Sequence, residues 1–255
     1  MRRWEQVAKE FIDTCSFKDD IEAAFLTGSH AFGNADEFSD IDIYIILGDH
    51  VDWRERGNRR IGGLLVEYFA NPMRQIRKYI DGGYPELNLT EINMILGGIV
   101  ICNKNSAAEA AVAFCKQKML SEFPKMSDFG IKTGLYAMWN NLDELQRVFA
   151  NSSLDFSMLF YAFVRQAFEL YSRYICSPVP NYHKTHQWLT DKAFRERYGL
   201  PAYNDPVFLD VMKQIFDNVD AKVNLALAQG IYSYIADKMG GINIDDFALR
   251  SPCAM

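Results

Sequence analysis

Residues 26–46 read Leu26-Thr-Gly-Ser-His-Ala-Phe-Gly-Asn-Ala-Asp-Glu-Phe-Ser-Asp-Ile-Asp-Ile-Tyr-Ile-Ile46. An apolar run from Ile21 to Leu26 reads as a strand that ends at Thr27-Gly28-Ser29, and a second strand runs from Ile41 to Leu47. Asp40 and Asp42 open that second strand. Residues two apart in a strand share a face, so both carboxylates project together while Ile41 and Ile43 enter the opposite layer. No Lys or Arg stands close to them in sequence, so the pair repels itself unless a divalent cation lies between. Hard oxygen donors of this kind suit Mg²⁺, completed by water and substrate phosphates. Gly28 lacks the Cβ that would keep a phosphate from the backbone. The helix opening after it offers free N–H groups to an anion, and the Ser29 hydroxyl adds a donor.

Outward from this stretch, Trp4, Val7, Ala8, Phe11, Ile12 and Cys15 recur at helical spacing. A third strand is predicted from Ile61 to Phe69, ending at Asn71-Pro72, with Pro72 suited to the first turn of the next helix. Thr90 to Cys102 holds a helix and then a short strand, and Ala107 to Leu120 a helix. The segment from Glu122 to Lys125 is the domain boundary, dividing residues 1–122 from 123–255. Beyond it the pattern is helical. Ser127 or Asp128 caps a helix carrying Ile131, Leu135, Met138, Leu142 and Leu145. A second helix spans Leu154 to Cys176, a shorter one His183 to Tyr198, and Asp205-Pro206 opens a long helix to about Lys238. The expected fold is α+β: a small mixed-sheet domain followed by an all-α bundle.

Composition sets the outer bounds. The chain has 255 residues, 49% hydrophobic and 14% aromatic, enough to bury a core and too apolar for disorder. Lys plus Arg number 27 against 33 Asp plus Glu, a net charge of −6 that disfavours nonspecific nucleic-acid binding. Five cysteines without a C-x-x-C pair read as reduced thiols, not a disulfide frame or zinc site. No apolar run approaches the roughly 20 residues of a membrane span. Glu5, Lys9 and Glu10 interrupt any signal segment. A cytoplasmic protein with no membrane partner is expected.

The ordered set of Gly28-Ser29, Asp40-x-Asp42 and a later strand glutamate resembles the signature of the DNA polymerase β-like nucleotidyltransferase superfamily. The fuller pattern, Gly28-Ser29-x-Ala31-x-Gly33 with Ser39-Asp40-Ile41-Asp42, is similar to its antibiotic (aminoglycoside or lincosamide) nucleotidyltransferase branch. The resemblance implies that Asp40 and Asp42 bind Mg²⁺, two ions in all, and that Glu67, in an otherwise apolar strand, is the third carboxylate. It implies an N-terminal catalytic domain and a helical acceptor-binding domain. It further implies transfer of a nucleoside monophosphate, AMP from ATP, to a small hydroxylated acceptor, with Gly28, Ser29 and Lys184 on the nucleotide. The alternative is a toxin–antitoxin type enzyme that modifies a protein or tRNA. Arg173 and His183 stand too far apart for the ribonuclease half that often accompanies such enzymes. A catalytically dead binding module is the third alternative.

Other features have plainer explanations. Lys184 begins a helix where lysines are commonly solvated. His183 and His186 lack a third ligand and read as packing or surface residues. Glu169, a candidate general base, stands four residues from both Arg165 and Arg173; such cations lower a carboxylate's pKa and weaken it as a base. His30 is adjacent to Ser29 and a candidate nucleotide contact. The run Arg54 to Arg60 reads as a solvated hairpin between strands, with an arginine reaching a phosphate or an RNA acceptor as the alternative. Tyr161, Tyr171 and Tyr174 fall at helical spacing and read as core.

Overall fold

The computed structural model describes residues 2–178, 184–198 and 200–250. The chain divides into two compact units, Met1–Phe123 with Glu196–Gly199, and Pro124–Arg195 with Leu200–Met255.

The first unit is built on a mixed five-stranded sheet in the order β3-β4-β2-β1-β5. Its strands are β1 (Ile21–Thr27), β2 (Ile41–Leu47), β3 (Glu55–Ile61), β4 (Leu64–Pro72) and β5 (Ile99–Asn103). Only the β2–β4 pairing is parallel. The alternation of β2 decides how its two faces are covered. Ile41, Ile43 and Ile45 point to one face, where Val7, Ala8 and Phe11 of helix α1 (Arg3–Thr14) close a core. Tyr44 and Ile46 point to the other, packed beneath α3 (Met73–Gly83), α4 (Thr90–Leu96) and α5 (Ala107–Met119). Each isoleucine so buried contributes about 1.5–3 kcal/mol, so β2 is the anchor of the unit. The sheet is thus sandwiched between helices, as an apolar strand buried on both faces requires.

The third strand differs from the sequence expectation. The residues from Ile61 to Phe69 do not form one strand, because Gly62 and Gly63 both take positive φ, 56° and 88°. Two such residues make a tight hairpin turn. Folding back on β4, residues 55–61 of the charged run form edge strand β3, the largely exposed outer strand of the expected hairpin. Its partners supply the pairing that its own composition disfavours. Pro72 ends β4 and serves as the N-cap of α3.

In the second unit, α6 (Asp128–Ala150), α7 (Phe156–Tyr174) and α11 (Ala221–Met239) pack against one another. Ser127 caps α6 through a 3.1 Å bond from the Gly130 N–H. The region from His183 to Tyr198 holds two helices, α8 (Thr185–Thr190) and α9 (Lys192–Tyr198), and His183 itself lies outside the described residues. The Asp191 carboxylate accepts from the Ala193 and Phe194 N–H groups and so starts the second of them. The long helix expected to run to Lys238 is also two, α10 (Pro206–Asp217) and α11, because Asp220 accepts from the Val223 N–H and begins a new one.

Asp205 caps α10 through a 3.0 Å bond from the Phe208 N–H and is 8% exposed. Its other oxygen accepts from the hydroxyls of Tyr171 and Tyr234, so one carboxylate ties α7, α10 and α11 together. Four cysteines among the described residues are free thiols, and burial pushes the Cys115 thiol up to about 11. No described helix is long and apolar enough to cross a membrane.

Candidate active site

The sheet register assembles the site. Asp42 of β2 is level with Thr27 of β1 on one side and with Glu67 of β4 on the other. Adjacent strands lie roughly 4.8 Å apart, so matched side chains on one face converge. Asp40 stands two residues before Asp42 and projects to the same side. Carboxylate oxygens of Asp40, Asp42 and Glu67 all lie within 4.8 Å of one another, on half-buried side chains. Among the described residues, no other group of three His, Cys, Asp or Glu side chains is gathered this way.

Carboxylates this close repel by about 1 kcal/mol per pair in water and about 3 kcal/mol at an effective dielectric near 20. A divalent cation relieves that repulsion. Three hard oxygen donors reachable by one ion, half-buried and open to further ligands, fit Mg²⁺ in the manner that carboxylate-plus-phosphate sites do.

Gly28 is part of this geometry in a way its sequence position did not reveal. It takes φ +65°, a left-handed conformation that favours glycine. A Cβ built on it would overlap the Asp42 carboxylate Oδ2 and stand 2.9 Å from Cγ. The space left by the missing side chain is therefore taken by Asp42. Ser29 follows, half-buried, near the start of the short helix α2 (Gly28–Phe32), which Gly33 ends at φ +73°.

A basic residue, Arg56, reaches the trio, contrary to the expectation of unpartnered carboxylates. Arg56 of β3 lies opposite Phe69, and its guanidinium stands 4.5 Å from the Phe69 ring centre. Its Nη2 donates to Glu67 Oε1 at 2.8 Å. The Arg56 side chain is 69% exposed and that of Glu67 23%. Strand parity is the signal that locates Arg56: once 55–61 is paired with β4, Arg56, Glu67 and Phe69 share one face.

The remaining candidates are placed as follows. Lys184 is the N-cap of α8, in the second unit. Glu169 accepts from Arg165 Nε at 2.8 Å, an i,i+4 ion pair with both side chains about half-exposed. His186 packs edge-on to Phe216 at 4.9 Å. His30 turns towards Trp4, ring centres 5.7 Å apart. Tyr171 is buried on Asp205, Tyr174 donates to the Lys238 carbonyl, and Tyr161 is exposed.

No curated protein matches. A solved structure described as a nucleotidyltransferase-like protein from Exiguobacterium sibiricum 255-15 is similar over 92% of this chain and 74% of its own, with 11% identity and a TM-score of 0.49. Residues 8–80, which carry Gly28, Ser29, Asp40, Asp42 and Glu67, match the family model of the nucleotidyltransferase domain.

Proposed function

We propose that this chain transfers a nucleoside monophosphate, AMP from ATP, to a hydroxyl of a small acceptor such as an aminoglycoside or lincosamide, with Mg²⁺ as the cation. The family match supports nucleotidyl transfer as the activity. The observation that carries the Mg²⁺ assignment is the convergence of Asp40, Asp42 and Glu67 within 4.8 Å beside the Gly28-Ser29 turn. In the reaction the acceptor oxygen bonds to the α-phosphorus and the bridge to the β-phosphate breaks. Pyrophosphate leaves, and the hydroxyl proton passes to a base or to water.

Asp40, Asp42 and Glu67 would hold the cations. A divalent ion held by these carboxylates would supply charge neutralisation to the triphosphate and would favour the ionised acceptor hydroxyl. Gly28 keeps Asp42 in place, and the Ser29 hydroxyl donates to the terminal phosphates. Lys184 is assigned to the triphosphate on family resemblance alone. Glu169 is paired with Arg165 and is assigned no part in the proton transfer. Residues 1–122 are read as the catalytic domain and 123–255 as the acceptor-binding domain. The net charge of −6 suits a cationic acceptor.

The test is incubation of the purified chain with α-labelled ATP and Mg²⁺ against antibiotics, tRNA and candidate proteins. Label is expected on a small hydroxylated acceptor. It should be lost in Asp40→Asn and Asp42→Asn, with circular dichroism unchanged. Label on tRNA or a protein would overturn the acceptor class, and transfer at the wild-type rate by Asp42→Asn would overturn the site.

A further inference from the structure

The ion pair between Arg56 and Glu67 places a positive charge against the proposed cation site. Nearby arginines of the charged run turn elsewhere, Arg54 to the Tyr79 hydroxyl and Arg59 to the Thr14 carbonyl. Arg56 alone of these three is laid over Phe69 and aimed at the trio. The ring fixes the guanidinium plane from below, and the cross-strand register fixes its reach.

The geometry points to Arg56 as the counter-ion of the acidic trio: it holds Glu67 until a divalent cation binds, and the cation and the guanidinium then compete for that carboxylate. This rests on the reading of Asp40, Asp42 and Glu67 as a cation site. Arg56 leaves Glu67 turned towards Asp42, so it also has the position of a brace. The balance of charge decides between the two roles. A half-exposed pair adds little to the ordering of Glu67. A doubly charged ion beside a fixed guanidinium meets twice the repulsion that a single charge would. Competition therefore outweighs bracing, and Arg56 weakens cation binding in the absence of nucleotide.

The experiment is titration of the full-length protein with Mn²⁺, free ion followed by electron paramagnetic resonance, without nucleotide. Arg56→Gln is expected to bind Mn²⁺ about fivefold more tightly than wild type, the size set by a partly exposed ion pair. Arg56→Lys, which keeps the charge, should stay within about twofold of wild type. In a Glu67→Gln background the effect of Arg56→Gln should shrink to about twofold or less, because the shared carboxylate is gone. If Arg56→Gln does not fold, Phe69→Leu removes the support beneath the guanidinium and should tighten binding about twofold.

Weaker Mn²⁺ binding by Arg56→Gln would make Arg56 a brace and overturn the inference. An equal effect with and without Glu67 would reduce it to a distant field and overturn it as well. Wild type that shows no saturable Mn²⁺ binding sensitive to Asp42→Asn would instead refute the cation site itself.

Discussion

Gly28→Ala tests whether the glycine of the turn exists for conformation alone or to seat Asp42. Gly33 is a built-in control: it too has positive φ, +73° against +65°, but a Cβ there meets nothing within 4 Å. Left-handed backbone costs a non-glycine residue about 1–2 kcal/mol. Loss of glycine's freedom in the unfolded chain returns about 0.4–1 kcal/mol. Gly33→Ala should therefore lose about 1 kcal/mol.

Gly28→Ala carries the same strain and an additional collision. Its Cβ would overlap Asp42 Oδ2 and stand 2.9 Å from Cγ and 3.3 Å from Cβ. Rotation of the carboxylate relieves the first two contacts at about 0.5–1.5 kcal/mol for an off-rotamer side chain. The last is set by the strand and needs a backbone shift. The total is about 2–4 kcal/mol, and the rotation turns Asp42 out of the trio. Urea unfolding and Mn²⁺ titration read the two consequences separately. Gly28→Ala should be the less stable variant and bind Mn²⁺ about 10- to 100-fold more weakly, as when the support of a metal ligand is lost. Gly33→Ala should bind as wild type. Equal stability in the two variants, or wild-type Mn²⁺ affinity in Gly28→Ala, would refute the seating of Asp42 on Gly28.

Two further substitutions test the cores, one in each unit. Tyr44 is 2% exposed, and its hydroxyl has no hydrogen-bond partner among the described residues. Tyr44→Phe should therefore stabilise the protein by about 1 kcal/mol, raising the thermal midpoint by about 2–4 °C for a chain of this size; a fall would mean that a buried water holds the hydroxyl. In the second unit, burial pushes the Asp205 carboxyl up, but the Phe208 N–H and the hydroxyls of Tyr171 and Tyr234 outweigh it and hold the pKa below the ordinary value. A depressed folded pKa contributes stability that is fully present above the unfolded value of about 3.9 and is lost as pH falls through the folded one. Asp205→Asn should thus cost about 1–3 kcal/mol at pH 7, with the urea midpoints of the two proteins converging below about pH 4; a gap constant down to pH 3 would remove the charge from the explanation.

Much of this was visible in the sequence because it is local. The spacing of Asp40 and Asp42 on a strand fixes their common face, and the apolar run around them identifies the strand. Glu67 was legible as a charge in a strand that had no other use for one. Arg56 was not, because its role depends on Asn58 pairing with Glu67, a partner choice written in the Gly62-Gly63 turn rather than in the charged run itself. The contact of Gly28 with Asp42 was hidden for the same reason, because Asp42 lies on the adjoining strand. The Asp205 knot combines a cap that the Asp-Pro pair announces with two tyrosines from distant helices, which nothing local announces.

The crowding of carboxylates is stabilised from the other side of the sheet. Shifting β2 by one residue would turn Asp42 towards the α1 layer and bring Ile41, Ile43 and Ile45, all fully buried, out of it. Placing an ionised carboxylate in that apolar layer costs several kcal/mol, more than the repulsion of about 1–3 kcal/mol per carboxylate pair can recover. The trio therefore persists whether or not a cation is bound, and Arg56 offsets part of the charge that remains. It follows that the site is preorganised by apolar burial: removing the cation should change the local electrostatics far more than the position of the strands, and a destabilised β2 core should impair cation binding before the chain unfolds. Ile43→Ala, directed away from the trio, separates the two cases. Loss of Mn²⁺ affinity in a variant that remains folded would show that the isoleucine layer aligns the carboxylates. Unchanged affinity would mean that the β1–β2 and β2–β4 pairings suffice on their own.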